Sequence, residues 1–429
     1  MIAKIYKTDE LKGTINPPSS KNYTTRYILV SCLSEGESVV KYPAKSDDAD
    51  AMISCCKALG AKIDFRDDAL YIKGFGNKPA DAGVVNPQNA GTVLRLLLAV
   101  GAFLPKVRFE TEYKDSLGTR PNGDLLDALA QMGVKCEADG GRLPITLYGG
   151  NLKGGKIKVS GKTSSQYLSA LLFIAPLVEE DIEIEVIEDL KSKPLIRTTL
   201  AVMKEAGIEV NASDDLMNFS VKGGQKYATK EYIVPGDYPG SSAIMCAATV
   251  MPRADVKIVR MSQDDEQGEK ATIDVLKNMG VDITHVGDIV HIKGNGKLTA
   301  VEFEGDKATD AVLAMSGAAC LAEGTTHFYN VENLRYKECD RISDFLSELK
   351  KVGVITKETK SEIFITGNPS GYDGGIEVEA HNDHRVIMAL TILGMRCRNG
   401  LTIKNAHHIS KSYPKYFDDL ISLGAKIEL

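Results

Sequence analysis

The sequence predicts an α/β protein of two lobes, each built from three copies of one small unit. Three observations carry this. A glycine turn returns six times at near-equal spacing, alternating segments follow it, and six apolar helical stretches interleave with six amphipathic ones. The turns are ISCCKALGAKI, LDALAQMGVKC, LAVMKEAGIEV, IDVLKNMGVDI, LSELKKVGVIT and FDDLISLGAKI. Their glycines, Gly60, Gly133, Gly207, Gly280, Gly353 and Gly424, lie 73, 74, 73, 73 and 71 residues apart. A helix commonly ends on a left-handed residue, and glycine adopts that conformation without a Cβ penalty.

After each of the first five glycines come two short alternating segments, as in AKIDFRDDALYIKG and VDITHVGDIVHIKG. Each reads as a hairpin. The sixth copy ends at Leu429 inside its first strand, and the N-terminal stretch Ala3–Tyr6 is placed to supply the missing one. The apolar stretches begin near Lys21, Asn89, Ser164, Ser241, Asp310 and Asp383, and a helix apolar on all sides is buried. Each unit therefore has one buried helix, one amphipathic helix and several strands. The polar stretch Gly224–Tyr232 marks the break between the third and fourth units. This gives one lobe of residues 1–17 plus 228–429 and a second of residues 18–227.

A chain of 429 residues exceeds one ordinary core. Its 43% hydrophobic and 26% charged residues are those of a globular protein. The net charge of -6 argues against a general binder of nucleic acid or membrane surfaces. MIAKIYKTDE has no apolar signal core, and no apolar run reaches the roughly 20 residues of a membrane span. Eight scattered cysteines without a CxxC pair read as reduced thiols, so a cytoplasmic protein is expected.

The buried helices begin with PPSSKN, NAGT, TSSQ, PGSS, TDAV and HNDH, rich in residues that cap helix N-termini. Such ends attract anions, although capping alone also explains these residues. Lys21, Arg26, Arg120, Lys337, Arg341, Arg385 and Lys411 occur near these starts or in connections. Cations held there need partners. Those are either an anionic substrate or carboxylates such as Asp310, Glu338, Asp340 and Asp383.

The motifs SSKNYTTR, SDDAD, NAGTVLR, LGTRP, SSQYLSALL, SKP, GDYPGSSA, TDAV, NLRYKECDR, NDHR and KSYP occur in that order along the chain. On them the chain resembles the 5-enolpyruvylshikimate-3-phosphate synthase family over essentially its full length. The resemblance implies the enolpyruvyl transferase fold, an inside-out α/β barrel in each lobe made of βαβαββ repeats, with the active site in the cleft between lobes that close like a hinge. It implies transfer of the enolpyruvyl group of phosphoenolpyruvate to the 5-hydroxyl of shikimate 3-phosphate on the shikimate pathway. Phosphate is released through a tetrahedral intermediate, with no metal or organic cofactor. The implied partners are these two small molecules alone, with no nucleic acid and no membrane, and the protein is expected to be a monomer.

By the same resemblance Lys21, Gly91, Arg120, Gln166, Arg341, Arg385 and Lys411 hold phosphoenolpyruvate. Lys21, Asn22, Arg26, Ser164, Ser165, Gln166, Ser192, Asp310, Asn333 and Lys337 hold shikimate 3-phosphate. Asp310 is the expected base, and its position before an apolar helix equally suits an N-cap. Glu338 is the expected proton donor, with Lys21 or His384 assisting. His384 could equally serve as a supporting hydrogen-bonding residue.

Two positions depart from the family pattern: Asn22 stands where Ser is usual, and Leu195 where Tyr is common. Lys-Asn is also what the sister family carries, UDP-N-acetylglucosamine 1-carboxyvinyltransferase of peptidoglycan synthesis. That family's loop cysteine has Asp115 in its place here. An RNA 3′-phosphate cyclase-like or non-catalytic anion-binding protein would be a third reading, and no nucleophilic histidine points to it.

Overall fold

The protein is described by a computed structural model covering residues 1–429. It divides into two compact units, one of residues 1–18 and 235–429, the other of residues 19–234. Each has its own hydrophobic core.

Twelve helices alternate in character. The odd ones are α1 (Lys21–Cys32), α3 (Gly91–Gly101), α5 (Ser165–Ile174), α7 (Tyr238–Thr249), α9 (Val312–Ala319) and α11 (His384–Gly394). They are buried over nearly their whole length. The even ones are α2 (Asp47–Ala58), α4 (Gly123–Gln131), α6 (Lys193–Glu205), α8 (Thr272–Asn278), α10 (Ser343–Val352) and α12 (Tyr416–Ser422), each with one buried face. In the unit of residues 235–429, α7, α9 and α11 all touch one another. A Cβ on Gly317 of α9 would lie 2.7 Å from the Ala389 carbonyl of α11, so glycine permits that close approach. All six turn glycines after the even helices have φ between 82° and 111°, the left-handed conformation that the spacing predicts.

Each unit carries three four-stranded mixed sheets. Every one combines a parallel pair with antiparallel pairs, as the βαβαββ pattern requires. Strands such as Ile182–Ile187 alternate buried and exposed residues, so each sheet covers the helices with one face and meets water with the other. The sixth repeat is closed by Ala3–Ile5, which lies between Leu401–Lys404 and Ile427–Glu428.

The boundary at residues 227 and 228 is corrected to 234 and 235, and that at 17 and 18 to 18 and 19. The reason is strand exchange in sequence order. Glu231–Ile233 runs parallel to Glu37–Lys41 and completes the first repeat. Glu10–Ile15 runs parallel to Arg253–Ile258 and completes the fourth. The chain can leave a unit only after the strand that closes its sheet.

Candidate active site

The sequence places capping residues at all six buried helices, and the structure keeps four. Ser20, Ser164, Asp237 and Asp383 accept backbone N–H groups at α1, α5, α7 and α11. The start of α7, at Tyr238, therefore lies about a turn before Ser241, where the sequence places it. Ahead of α3 and α9 stand Ala90 and Ala311, with no side-chain cap. Asp310 is thus not an N-cap. It is the penultimate residue of a short 3-10 segment, Gly305–Ala311, that leads into α9.

In the unit of residues 235–429, three of the four expected catalytic residues, Asp310, Glu338 and His384, gather around Arg341 and Asp383, while Lys21 lies in the other unit. Arg341 is 2% exposed, and its three guanidinium nitrogens meet three carboxylates. Nε donates to Asp383 at 2.7 Å, Nη1 to Asp310 at 2.9 Å and Nη2 to Glu338 at 2.9 Å. Burial alone would lower the Arg341 pKa. Asp383, Glu338 and Asp310 outweigh it and hold the guanidinium above its ordinary value. Lys411 Nζ lies 2.9 Å from the other oxygen of Glu338, and Arg385 Nη2 lies 3.8 Å from Asp310 Oδ2. Asp383 caps α11 by accepting the Arg385 amide, and His384 Nδ1 is 3.7 Å from the same carboxylate.

The cations here are therefore neutralised by carboxylates, as the sequence left open. Asp340 is not among them: it binds Arg335, which also reaches Glu358 and the Thr359 carbonyl. Those bonds pin the turn between Glu338 and Arg341. Asn333 stands nearby, donating to Asp306 and Thr309 beside Asp310. Lys337 follows the 3-10 turn Glu332–Tyr336.

The unit of residues 19–234 presents a different arrangement. Lys21 opens α1 and pairs with the buried Asp48 of α2 at 3.0 Å. Arg26, one turn further, is completely buried and meets no carboxylate. It donates to the Thr199 hydroxyl at 3.0 Å and to the carbonyls of Asn22 and Leu195 at 3.1 and 3.4 Å. Burial draws its pKa down to about 10. A buried cation held only by neutral oxygens is a seat for an anion. At the two departures from the family pattern, Asn22 and Leu195 thus contribute backbone carbonyls to Arg26.

Gln166 is fixed from two sides. Its amide donates to Thr92 at 2.8 Å and its carbonyl accepts from Arg95 at 2.8 Å. Arg95 also reaches Ser164 at 3.2 Å, while Ser165 is buried at the start of α5. Gly91 opens α3 directly against Arg120, since a Cβ there would lie 2.5 Å from Nη1. Ser192 holds left-handed backbone, φ 53°, at the start of α6 beside Leu195.

Sequence reasoning missed three contributors: the Thr92 and Arg95 clamp, the Asp48 partner of Lys21, and Glu269. Glu269 is 6% exposed, and its Oε1 accepts the Asp310 amide at 3.1 Å. Burial first, then the charge of Asp310, raises its pKa to about 7. A buried acid inside QGEKA carries no pattern that sets it apart from a surface one.

Residues 5–420 match the family model described as EPSP synthase (3-phosphoshikimate 1-carboxyvinyltransferase). A 3-phosphoshikimate 1-carboxyvinyltransferase of Deinococcus radiodurans is 45% identical over 424 residues, covering 99% of this chain and 96% of that protein. One of Burkholderia pseudomallei is 38% identical over 429 residues, covering 99% and 95%. An EPSP synthase structure from Acinetobacter baumannii superposes with a TM-score of 0.83 at 25% identity, covering 100% of this chain and 99% of that one. The enolpyruvyl transferase NikO of Streptomyces tendae shares the fold, with a TM-score of 0.81 at 17% identity over 100% and 98% of the two chains. The repeats, the paired acids and these relatives agree, and the chain belongs to the EPSP synthase (3-phosphoshikimate 1-carboxyvinyltransferase) family.

Proposed function

We propose that the chain transfers the enolpyruvyl group of phosphoenolpyruvate to the 5-hydroxyl of shikimate 3-phosphate and releases phosphate. One observation carries this: two acids, Asp310 and Glu338, are held by the two terminal nitrogens of a single buried guanidinium. The reaction needs two acid–base groups at neighbouring atoms, surrounded by cations that hold the anionic donor.

In the first step the 5-hydroxyl oxygen bonds to C2 of phosphoenolpyruvate. Its proton goes to Asp310, and Glu338 gives a proton to C3, which becomes a methyl group. In the second step the C2–O bond to phosphate breaks and the proton held by Asp310 leaves with the phosphate, while the methyl group loses a proton to Glu338 and the double bond returns. Lys21 and His384 assist these transfers. As found, Glu338 is flanked by Arg341 and Lys411, which favour its carboxylate form. A bound phosphate and carboxylate that draw those cations to themselves add negative charge beside Glu338, which favours its protonated form. The donor thereby arms its own acid.

Arg120, Arg341 and Arg385 suit the donor because a guanidinium binds carboxylate or phosphate with two parallel hydrogen bonds. Lys21, Gly91, Gln166 and Lys411 complete the donor set. Arg26, with Asn22, Ser164, Ser165, Ser192, Asn333 and Lys337, receives the acceptor. No helix is long and apolar enough to cross a membrane, and all eight cysteines are free thiols, which supports a cytoplasmic setting. Phosphate release by the purified protein tests the reading. It is expected with phosphoenolpyruvate and shikimate 3-phosphate together. Turnover only with UDP-N-acetylglucosamine as acceptor would overturn it.

A further inference from the structure

We propose that Glu269 is a positioning residue for Asp310: it holds the Asp310 backbone, and its own ionisation changes how strongly the Asp310 carboxylate attracts a proton. The inference rests on Asp310 being that base.

Asp310 is not held by regular helix. The segment before it breaks at Ala308, φ -146° and ψ 58°, and the Ala311 side chain cannot cap α9. Its amide is one of the open donors at a helix start, and Glu269 Oε1 takes that donor at 3.1 Å. Glu269 lies on the 3-10 turn Gly268–Ala271, which packs against the Asp310 segment.

An acceptor for one amide does not require a charge, and glutamine would serve. Glu269 is nevertheless a buried carboxyl with no Lys, Arg or His at ion-pair distance, an arrangement that costs stability. The charged groups that act on it are Asp310 and, from α11, Arg385. Lys270, its neighbour in sequence, turns away to the carbonyls of Gln263 and Asp265. Asp265 is turned to Gln267. Glu269 thus places a second acid behind the base. Two such carboxyls titrate as a pair, and the charge of one opposes ionisation of the other.

The test is the pH profile of kcat for Glu269→Gln, Glu269→Leu and Asp310→Asn in the full chain. Glutamine keeps the acceptor and removes the charge. A wild-type limb near pH 7, where Glu269 ionises behind an already charged Asp310, is expected to disappear, with the plateau within a few-fold of wild type and both KM values unchanged. Leucine removes the acceptor too, and the plateau is expected to fall more than about ten-fold. A Glu269→Gln limb that superimposes on wild type overturns the inference, because a purely structural residue would change the plateau or the melting point and leave the limb in place. Asp310→Asn separates the two readings. If it turns over normally, the assignment of the base fails. If it is inert while the Glu269→Gln limb is unmoved, only the role of Glu269 fails. Carboxyl-carbon NMR of the wild-type protein gives a second measure: a glutamate titrating near neutral pH is expected, and its absence overturns the inference.

Discussion

Replacing Gly91 with alanine perturbs one contact whose consequence can be worked out. A Cβ at this position would sit 2.5 Å from Arg120 Nη1 and 3.6 Å from its Cζ. Ordinary contact needs about 3.4 Å or more, so the guanidinium tip must retreat by roughly 1 Å. Alanine is a better helix former than glycine by about 1 kcal/mol in a helix interior, and what moves is the far end of a flexible side chain. The melting temperature should therefore hold or rise slightly. The cost falls on donor binding. A displaced guanidinium gives up or lengthens a charge-assisted hydrogen bond worth about 1.5–3 kcal/mol. That corresponds to an increase of about 10- to 100-fold in the KM for phosphoenolpyruvate, with a smaller fall in kcat. Steady-state phosphate release measures it, and a cycle with Arg120→Gln should show strong coupling between the two positions. A KM within two-fold of wild type would refute the placement of Arg120 on the donor.

Arg26→Met should hold or raise the melting temperature, since it removes a desolvated charge that meets no carboxylate. It should also weaken shikimate 3-phosphate binding at least 100-fold by calorimetry. Arg341→Met should instead destabilise the protein by about 3–5 kcal/mol in urea unfolding, because three buried or half-buried carboxylates lose their shared cation. Glu269 makes stability depend on pH. Its folded pKa of about 7 lies above the roughly 4.3 of an unfolded glutamate, so the folded state binds the extra proton between those values. Stability contributed by that proton is present below about pH 4.3 and is lost as pH rises through 7, on the order of 1–3 kcal/mol. Glu269→Gln should flatten that part of the stability profile, and an unchanged slope would contradict the burial argument.

The repeat was legible because its signal is local. A left-handed helix end demands glycine, and six glycines at near-equal spacing expose the unit directly. The closing strand Ala3–Ile5 was legible because the sixth copy visibly lacked a partner. The exchange of Glu10–Ile15 and Glu231–Ile233 was hidden. Glu231–Ile233 has only three residues, and each strand finds its partner about 200 residues or more away. The anion site was legible as residue types near helix starts. Its internal pairing was not, since Asp340 and Asp383 look equivalent in sequence yet bind Arg335 and Arg341 respectively. Asp310 is expected as the base, with an N-cap as the alternative, because an acid before an apolar run is often one. In the structure its carboxylate accepts from Arg341, two residues beyond a backbone break at Ala308.

The central claim is that the C–O bond of phosphoenolpyruvate breaks after addition of an acceptor hydroxyl. Phosphoenolpyruvate carrying oxygen-18 in the bridging position tests this most directly. With shikimate 3-phosphate present, all of the label should appear in the released phosphate and none in the enolpyruvyl product. Label retained in the organic product would mean that the P–O bond broke, and would contradict the account.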